Sequence, residues 1–293
     1  MRKHLLCSLF LLALSPVFAQ KKTGNAPAKS TIADTLNLSD ALSKKRIAIT
    51  AEGMGGYHGE SIKLICRNLR DQVLHIRIPQ GQLMQPADSS MQILVVSVAQ
   101  ILDLNGKTPA ETRLMTFCIQ AGNRSPISGT AFAVGAMAPE NLCQLLKYLS
   151  VNNKTEHPGA QSAVWAITNG RGLAGIGDPG ITRFTADLLG KEVPGYQVKY
   201  ESREAPGERA ELGRAMLVES QFQYTLTKSE YLNTVLLNAE GKQVKMLHEH
   251  ELSRAGEHRR GLHLEAWNLT PGKYTVRVQT EDGRVIQDIN VEF

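Results

Sequence analysis

Short runs of alternating apolar and polar residues, each closed off by turn chemistry, constrain this chain more than any other feature of its sequence. Ile47 and Ile49 alternate with polar neighbours, Ile62, Leu64 and Cys66 share one face of the next run, and Leu74, Ile76 and Ile78 do so in a third that stops at Pro79. A period of two sets every second side chain on one side of an extended backbone, so these runs read as half-buried β-strands. Ile93 to Val98 is a near-continuous apolar run, and Leu114, Thr116 and Cys118 alternate with Met115, Phe117 and Ile119. That last strand is expected to be covered on both faces. Asn68 with Asp71, Pro79-Gln80-Gly81, Pro86 to Ser90 and Asn105-Gly106 stand between the runs as turns. Hydrophobic residues make up 42% and charged residues 21% of the chain, which excludes global disorder, a coiled-coil rod and a collagen-like fibre. Its 293 residues suit about two domains and bury enough surface to need neither disulfide nor metal.

The pattern changes at Pro139. Pro139-Glu140 makes a first helical turn, and Leu142, Leu145, Leu146 and Leu149 fall on one helical face. His157-Pro158-Gly159 breaks the chain, and Gln161 to Thr168 reads as a short second helix carrying Val164, Trp165 and Ile167. After a glycine-rich loop, Ile181, Phe184, Leu188 and Leu189 mark a third helix, closed by Gly190. Residues 193–218 are polar, with Pro194, Pro206 and Gly207, and read as a linker. Strands then return from 219 to the end, joined at Asn238-Ala239-Glu240-Gly241, Pro271-Gly272 and Glu281-Asp282-Gly283. The expected fold is mainly β: a β-sandwich over 44–135, a small helical segment over 136–192 capping it, and a second sandwich over 219–293.

Met1-Arg2-Lys3-His4 is basic, Leu5 to Val17 is largely apolar, and Val17-Phe18-Ala19 places small residues before Gln20. This is the layout of a secretory signal peptide over 1–19, with a flexible leader over 20–43. Cys7 lies inside the apolar run, which argues against a lipid-anchored cysteine at the cleavage site. No later run is long and apolar enough for a transmembrane helix. Cleavage removes two basic residues and no acids, so the formal charge falls from +5 to +3. So mild a surplus gives no case for nucleic acid. Cys66, Cys118 and Cys143 remain, an odd number in an oxidising compartment, and buried thiols account for them most simply.

Leu236-Leu237-Asn238-Ala239-Glu240-Gly241-Lys242-Gln243-Val244, Ala255-Gly256-Glu257-His258 and Leu269-Thr270-Pro271-Gly272-Lys273-Tyr274 resemble an Ig-like domain of the flagellar-hook-cap type. They also look like the C-terminal sorting domains of type IX secretion cargo in Bacteroidetes. The resemblance covers about the last 75 residues and implies an Ig-like fold and an exported protein. Trp267, Tyr274, Gly256 and Gly272 are then expected in its structural framework, with Trp267 buried.

A second resemblance is local. Phe117-Cys118-Ile119 on a strand and Ala160-Gln161-Ser162-Ala163-Val164-Trp165 opening a helix resemble the signatures of thioester domains in bacterial surface adhesins. In that family the cysteine thiolate attacks the glutamine carboxamide, ammonia leaves, and the strained acyl group awaits a nucleophile. Such chemistry needs thiolate and amide carbon in contact in a site dry enough to prevent hydrolysis. Only 43 positions separate Cys118 from Gln161. The simpler expectation is a core cysteine with a raised pKa and low reactivity, a glutamine satisfying backbone, and no thioester. The two side chains meet only if the short helix, with Trp165 as its structural anchor, packs directly over the strand, and such proximity strengthens the covalent case.

Other constellations are thinner. His248 and His250 share an expected strand face, as two metal ligands would, but no third ligand is placed by spacing, and solvated strand faces account for them. Gly53 to Gly59 precedes a strand, and Gly172 to Gly180 precedes a helix without a surrounding strand–loop–helix–strand unit, so both read as loops. Glu52 with Glu60 is too thin a basis for acid–base catalysis. No cofactor is implied. The leading expectation is a non-catalytic secreted or surface-exposed binding module whose partner is a protein or glycan of the cell envelope. A covalent adhesin using Cys118 and Gln161 is the alternative, and an enzyme with an inter-domain site is the third class.

Overall fold

The computed structural model describes residues 35–201, 206–209 and 213–293. The expected signal peptide over 1–19, Cys7, and most of the expected leader lie outside the described residues. The described chain is mainly β, with four α-helices. In chain order its first half comprises β1 (Thr35–Asn37), α1 (Leu38–Ser43), β2 (Ile47–Met54), β3 (His58–Asn68), β4 (Leu74–Ile78), β5 (Gln82–Pro86), β6 (Leu94–Val96), β7 (Gln100–Leu104), β8 (Ala110–Cys118) and β9 (Ser128–Met137). Next come α2 (Glu140–Val151), α3 (Pro158–Asn169), a 3-10 turn at Leu173–Gly175 and α4 (Pro179–Leu189). The last part comprises β10 (Tyr196–Tyr200), β11 (Ala215–Leu226), β12 (Glu230–Asn238), β13 (Gln243–Ser253), β14 (Gly256–Glu265), β15 (Lys273–Thr280) and β16 (Val285–Glu292).

Where the sequence pattern suggests a sandwich over 44–135, six strands close into a barrel in the order β2-β3-β8-β6-β5-β9, and β9 pairs back onto β2. Closure leaves this sheet without free edges. Alternation in a strand reports one buried face and is silent on whether the sheet curls shut, so both folds share one pattern. The barrel is filled by Ile62, Leu64, Cys66, Met84, Leu94, Leu114 and Cys118. A smaller sheet, β1-β4-β7, packs Leu74, Ile76, Ile78 and Leu104 onto the same core.

Two expected connecting segments are partly built into the fold. Within the leader over 20–43, Thr35–Asn37 pairs in parallel with His75–Arg77, and α1 buries Leu38 and Ala41 completely. A polar stretch with one or two apolar residues is enough for a three-residue edge strand, which periodicity cannot register. Within the linker over 193–218, β10 pairs with β11 and contributes Val198 to the second core.

The three larger helices cover one side of the barrel. Leu142, Leu145, Leu146 and Leu149 of α2 and Ala160, Ala163, Val164 and Ala166 of α3 pack with outward-facing Val95 and Phe117. α4 adds Ile181 and Ala186. Asp178 caps α4 by accepting from Ile181 N at 2.7 Å, and Gly190 ends it at φ +61°.

The C-terminal strands form two sheets, β10-β11-β14 and β13-β12-β15-β16. Val218, Leu262 and Leu264 of the first face Leu236, Val276 and Val291 of the second across one core, a two-layer β-sandwich. Tyr274 is buried in that core and its hydroxyl donates to Thr270 O at 2.7 Å. Trp267, expected to be buried, is 48% exposed. Its neighbour Ala266 takes the core position instead, because one step along the chain exchanges inward for outward. Gly256 adopts φ +124° at the β13–β14 turn, where a Cβ would be strained. Gly272 exchanges two backbone hydrogen bonds with Phe293, which ties the last residue of the chain to the Pro271-Gly272 turn.

Candidate functional site

The Cys118–Gln161 pair is assembled by the end of one strand. β8 pairs with β6 through Leu94↔Cys118, and Ile119 N donates to Ile93 O. In an antiparallel ladder this points the N–H and C=O of Cys118 the other way, toward β3. On that side the ladder stops at His58↔Phe117, one residue short. Gln161 takes the vacant place. Its Oε1 accepts from Cys118 N at 3.1 Å and its Nε2 donates to Cys118 O at 2.8 Å. A side-chain carboxamide thus replaces the missing strand neighbour and satisfies two buried backbone groups.

Helix α3 delivers that carboxamide with one face. Gln161, Trp165 and Asn169 are spaced by four, so they stack along one side of the helix. Trp165 reaches the barrel core beside Cys118 and Tyr57, and Asn169 Oδ1 accepts from Ala121 N at 3.1 Å. The loop after Cys118 is therefore stapled to α3 at both ends. Pro158 starts the helix one turn earlier than the sequence suggests, and His157 caps it by accepting from Gly159 N through Nδ1 at 3.0 Å. A Cβ on Gly159 would stand 2.0 Å from Ile176 O, so only glycine lets the start of α3 approach this closely. His157 and Lys154 also meet Asp178, with Lys154 Nζ at 2.7 Å and 2.8 Å from its two carboxylate oxygens. Burial raises the Asp178 pKa, but Lys154, the Ile181 amide and His157 together hold it below the usual aspartate value.

Both partners are shielded. Cys118 has no exposed surface and Gln161 is 7% exposed. Burial pushes the Cys118 thiol up to about 12, against opposing pulls from the Gln120 amide, the Trp165 indole and Arg171. Gln120 N donates to the sulfur at 3.3 Å. The Trp165 indole N–H also acts on the sulfur, though Nε1 makes no formed hydrogen bond among the described residues. Arg171 lies over the Trp165 ring, 4.3 Å from its centroid. The other barrel thiol, Cys66, is pushed by burial to about 11, and Cys143 is half-buried beneath Gly81. None of the three described cysteines forms a disulfide.

Gln161 also stands at the edge of an open cleft of about 570 Å³, within the size range of small-ligand sites. One wall is His58, Gly59 and Glu60 at the start of β3, and the other is formed by the loop before α3 and its first residues. Met115 and Phe117 line the floor, together with the buried hydroxyl of Ser97, which has no partner among the described residues. Glu60 pairs with Arg113, while Glu52 pairs with Lys63 outside the cleft.

His248 and His250 do not form a pair of ligands. Register shifts in the β12–β13 ladder break the alternation between them. His250 adopts φ +52°, stacks on Tyr231 with ring centroids 4.0 Å apart, and pairs with Glu281. His248 stands 3.7 Å from Glu251. Among the described residues, no group of three His, Cys, Asp or Glu side chains is placed to hold a metal ion.

Sequence reasoning singled out Cys118, Gln161 and Trp165, and the structure gathers all three. It missed Asn169, Tyr57, Arg171 and Gln120 around them. Asn169 was readable from its spacing to Gln161 and Trp165. The other three arrive from loops, whose paths no periodicity records. No protein-family model matches the chain, and no curated protein matches its sequence.

Proposed function

We propose that this chain is an exported, mainly β module of the cell envelope that joins covalently to a partner through an internal Cys118–Gln161 thioester. The observation that carries the reading is the double hydrogen bond by which the Gln161 carboxamide sits on Cys118, buried, at the edge of an open cleft. In the forming step Cys118 Sγ bonds to Gln161 Cδ, the C–N bond breaks, and the thiol proton leaves with the nitrogen as ammonia. The negative charge that develops on Oε1 meets the Cys118 N–H already bonded to it. A nucleophile entering by the cleft then takes the acyl group and returns the thiol.

The raised thiol pKa does not forbid this step. At pH 7 a thiol titrating at about 12 carries roughly 10³-fold less thiolate than an ordinary cysteine. Well-oriented intramolecular reactions gain effective molarities of about 10⁵–10⁸ M, which more than offsets that deficit. The same burial keeps the free thiol inert toward reagents outside.

Intact mass with and without methylamine tests the reading. The mature chain should be one ammonia lighter than its sequence, gain methylamine on treatment, and lose both properties in Cys118→Ala. A full mass that methylamine leaves unchanged overturns it.

One observation favours a second reading. Because β3 stops short of Cys118, Gln161 has a sufficient structural reason to be where it is. The chain is then a non-covalent surface or secreted module, contacting a protein or glycan of the envelope by the same cleft. In both readings the C-terminal strands form an Ig-like domain of the type that accompanies type IX export. The two facing sheets and the Tyr274 hydroxyl bonded back to Thr270 support that assignment. The basic, apolar and small-residue succession at the N-terminus supports export.

A further inference from the structure

The Cys118 thiol has no exposed surface although the cleft opens beside it. Anything that reaches it from outside must first displace a neighbour. Three elements close around it, and they differ in how firmly they are held. β8 is paired on both sides within the barrel. α3 is fixed by Ala160, Ala163, Val164 and Ala166 in the helical core. The third is the tip of the β2–β3 hairpin, residues 55–57, which lies outside the strand ladder.

Glycines frame this tip. Gly55 and Gly56 adopt φ +93° and +87°, and Gly59 on its far side adopts +74°. Among the described residues no atom lies within 4 Å of where a Cβ would stand at Gly56 or Gly59, while one on Gly55 would meet Ser128 N at 3.9 Å and the Pro206 Cβ at 4.0 Å. At the root the packing reverses: a Cβ on Gly53 would meet Ile127 O at 2.8 Å and the Thr130 Cβ at 3.3 Å. The glycine-rich tip therefore springs from a tightly packed base. Its one buried side chain is Tyr57, 7% exposed, whose ring centroid lies 5.7 Å from that of Trp165 and which belongs to the same core as Cys118. Gly56 N donates to Pro126 O at 3.1 Å in the closed position.

We propose that Tyr57 is the access gate of the Cys118–Gln161 pair, a plug carried on a glycine-hinged hairpin that decides which nucleophiles the pair meets. Small reagents enter by transient opening of the hairpin. A bulky partner gains entry only when its own contact with His58, Gly59 and Glu60 at the cleft wall holds the tip away. Low-cost local opening of this kind uses segments with few packed contacts. The nucleophile selection rests on the thioester reading, whereas the gate itself applies equally to a free thiol.

The test measures native-state labelling by N-ethylmaleimide, resolved by peptide mass at each cysteine. Cys66, in the barrel core and fully buried, serves as the clock for global unfolding. Tyr57→Ala should raise the ratio of Cys118 to Cys66 labelling roughly ten-fold or more, while Tyr57→Phe, which keeps the ring, should change it by less than about two-fold. If the mass shows a thioester, methylamine incorporation at Gln161 replaces maleimide at Cys118 as the numerator, with the same expectation. A ratio that Tyr57→Ala leaves unchanged overturns the gate, even if both rates rise together, because equal rises report destabilisation alone. The mass decides the thioester and the ratio decides the gate, so either can fail without the other.

Discussion

Gln161 is the residue on which local structure and chemistry converge. Its carboxamide offers one acceptor and one donor with the spacing of a backbone neighbour, and Cys118 lacks such a neighbour on that side. Replacing it leaves two buried backbone groups unsatisfied, so Gln161→Ala should destabilise the fold by about 2–4 kcal/mol in urea titration. Gln161→Glu should also destabilise it, because an ionised carboxylate cannot donate to Cys118 O. The two barrel thiols supply a pH signature. Burial raises Cys66 to about 11 and Cys118 to about 12, so the unfolded chain releases these protons first as pH rises. Their contribution is intact below about pH 8 and is lost above the ordinary thiol range, at about 1.4 kcal/mol per pH unit for each thiol. Urea midpoints between pH 7 and pH 10 should fall accordingly, on an otherwise matched baseline from Cys66→Ala. A Cys118 held as a thioester has no proton to lose and drops out of this slope.

Helix α3 acts as a positioning rod. One end is capped by His157 and pressed against Ile176, and the other is held by Asn169 on Ala121. Between them, Gln161 and Trp165 are placed against the end of β8. Gly159 sets the approach, so Gly159→Ala should shift the start of the helix and cost about 1–3 kcal/mol, although alanine is intrinsically the better helix former. Gly172→Ala is the matched control, since no atom lies within 4 Å of its would-be Cβ. Its melting temperature should stay close to that of the parent, and equal losses in both variants would refute the argument from close approach. The same logic explains the hairpin. Gly55 and Gly56 serve a left-handed backbone conformation, whereas Gly53 and Gly159 serve contact.

On the scale of the molecule, the barrel, its helical cover and the sandwich are joined through specific contacts. Tyr200 of β10 packs against Gly175, where a Cβ would stand 2.8 Å from its ring, and Ala174 joins the sandwich core. Residues 206–209 bridge back to the barrel: Gly207 N donates to Ser125 O and Ser125 N donates to Glu208 O. The segment that reads as a linker is therefore structural at both its described ends. It follows that a fragment spanning 194–293 should melt cooperatively. One spanning 219–293 lacks β10 and the first strand residues of β11, exposes the core around Leu262 and Leu264, and should not. Differential scanning calorimetry of the two fragments checks this, and a cooperative melt of the shorter one would show that β10 is dispensable.

Alternating residues such as Leu114, Thr116 and Cys118 were enough to place strands, because a period of two is a local property of extended backbone. Leu142, Leu145, Leu146 and Leu149 likewise announced α2, and Gly190 the end of α4. The Cys118 and Gln161 motifs were legible as motifs. Their meeting was not, because it depends on where β3 stops and how closely Gly159 lets α3 approach Ile176. Barrel closure, the inward turn of Ala266 in place of Trp267, and the bulge that separates His248 from His250 share that cause. Each is settled by register between strands, which no local pattern encodes. Sequence by itself determined most of the longer strands and helices, through side-chain periodicity and turn chemistry. Tertiary structure alone decided that a thiol, a carboxamide and a tyrosine on three separate elements are buried close together, because only long-range packing brings them there.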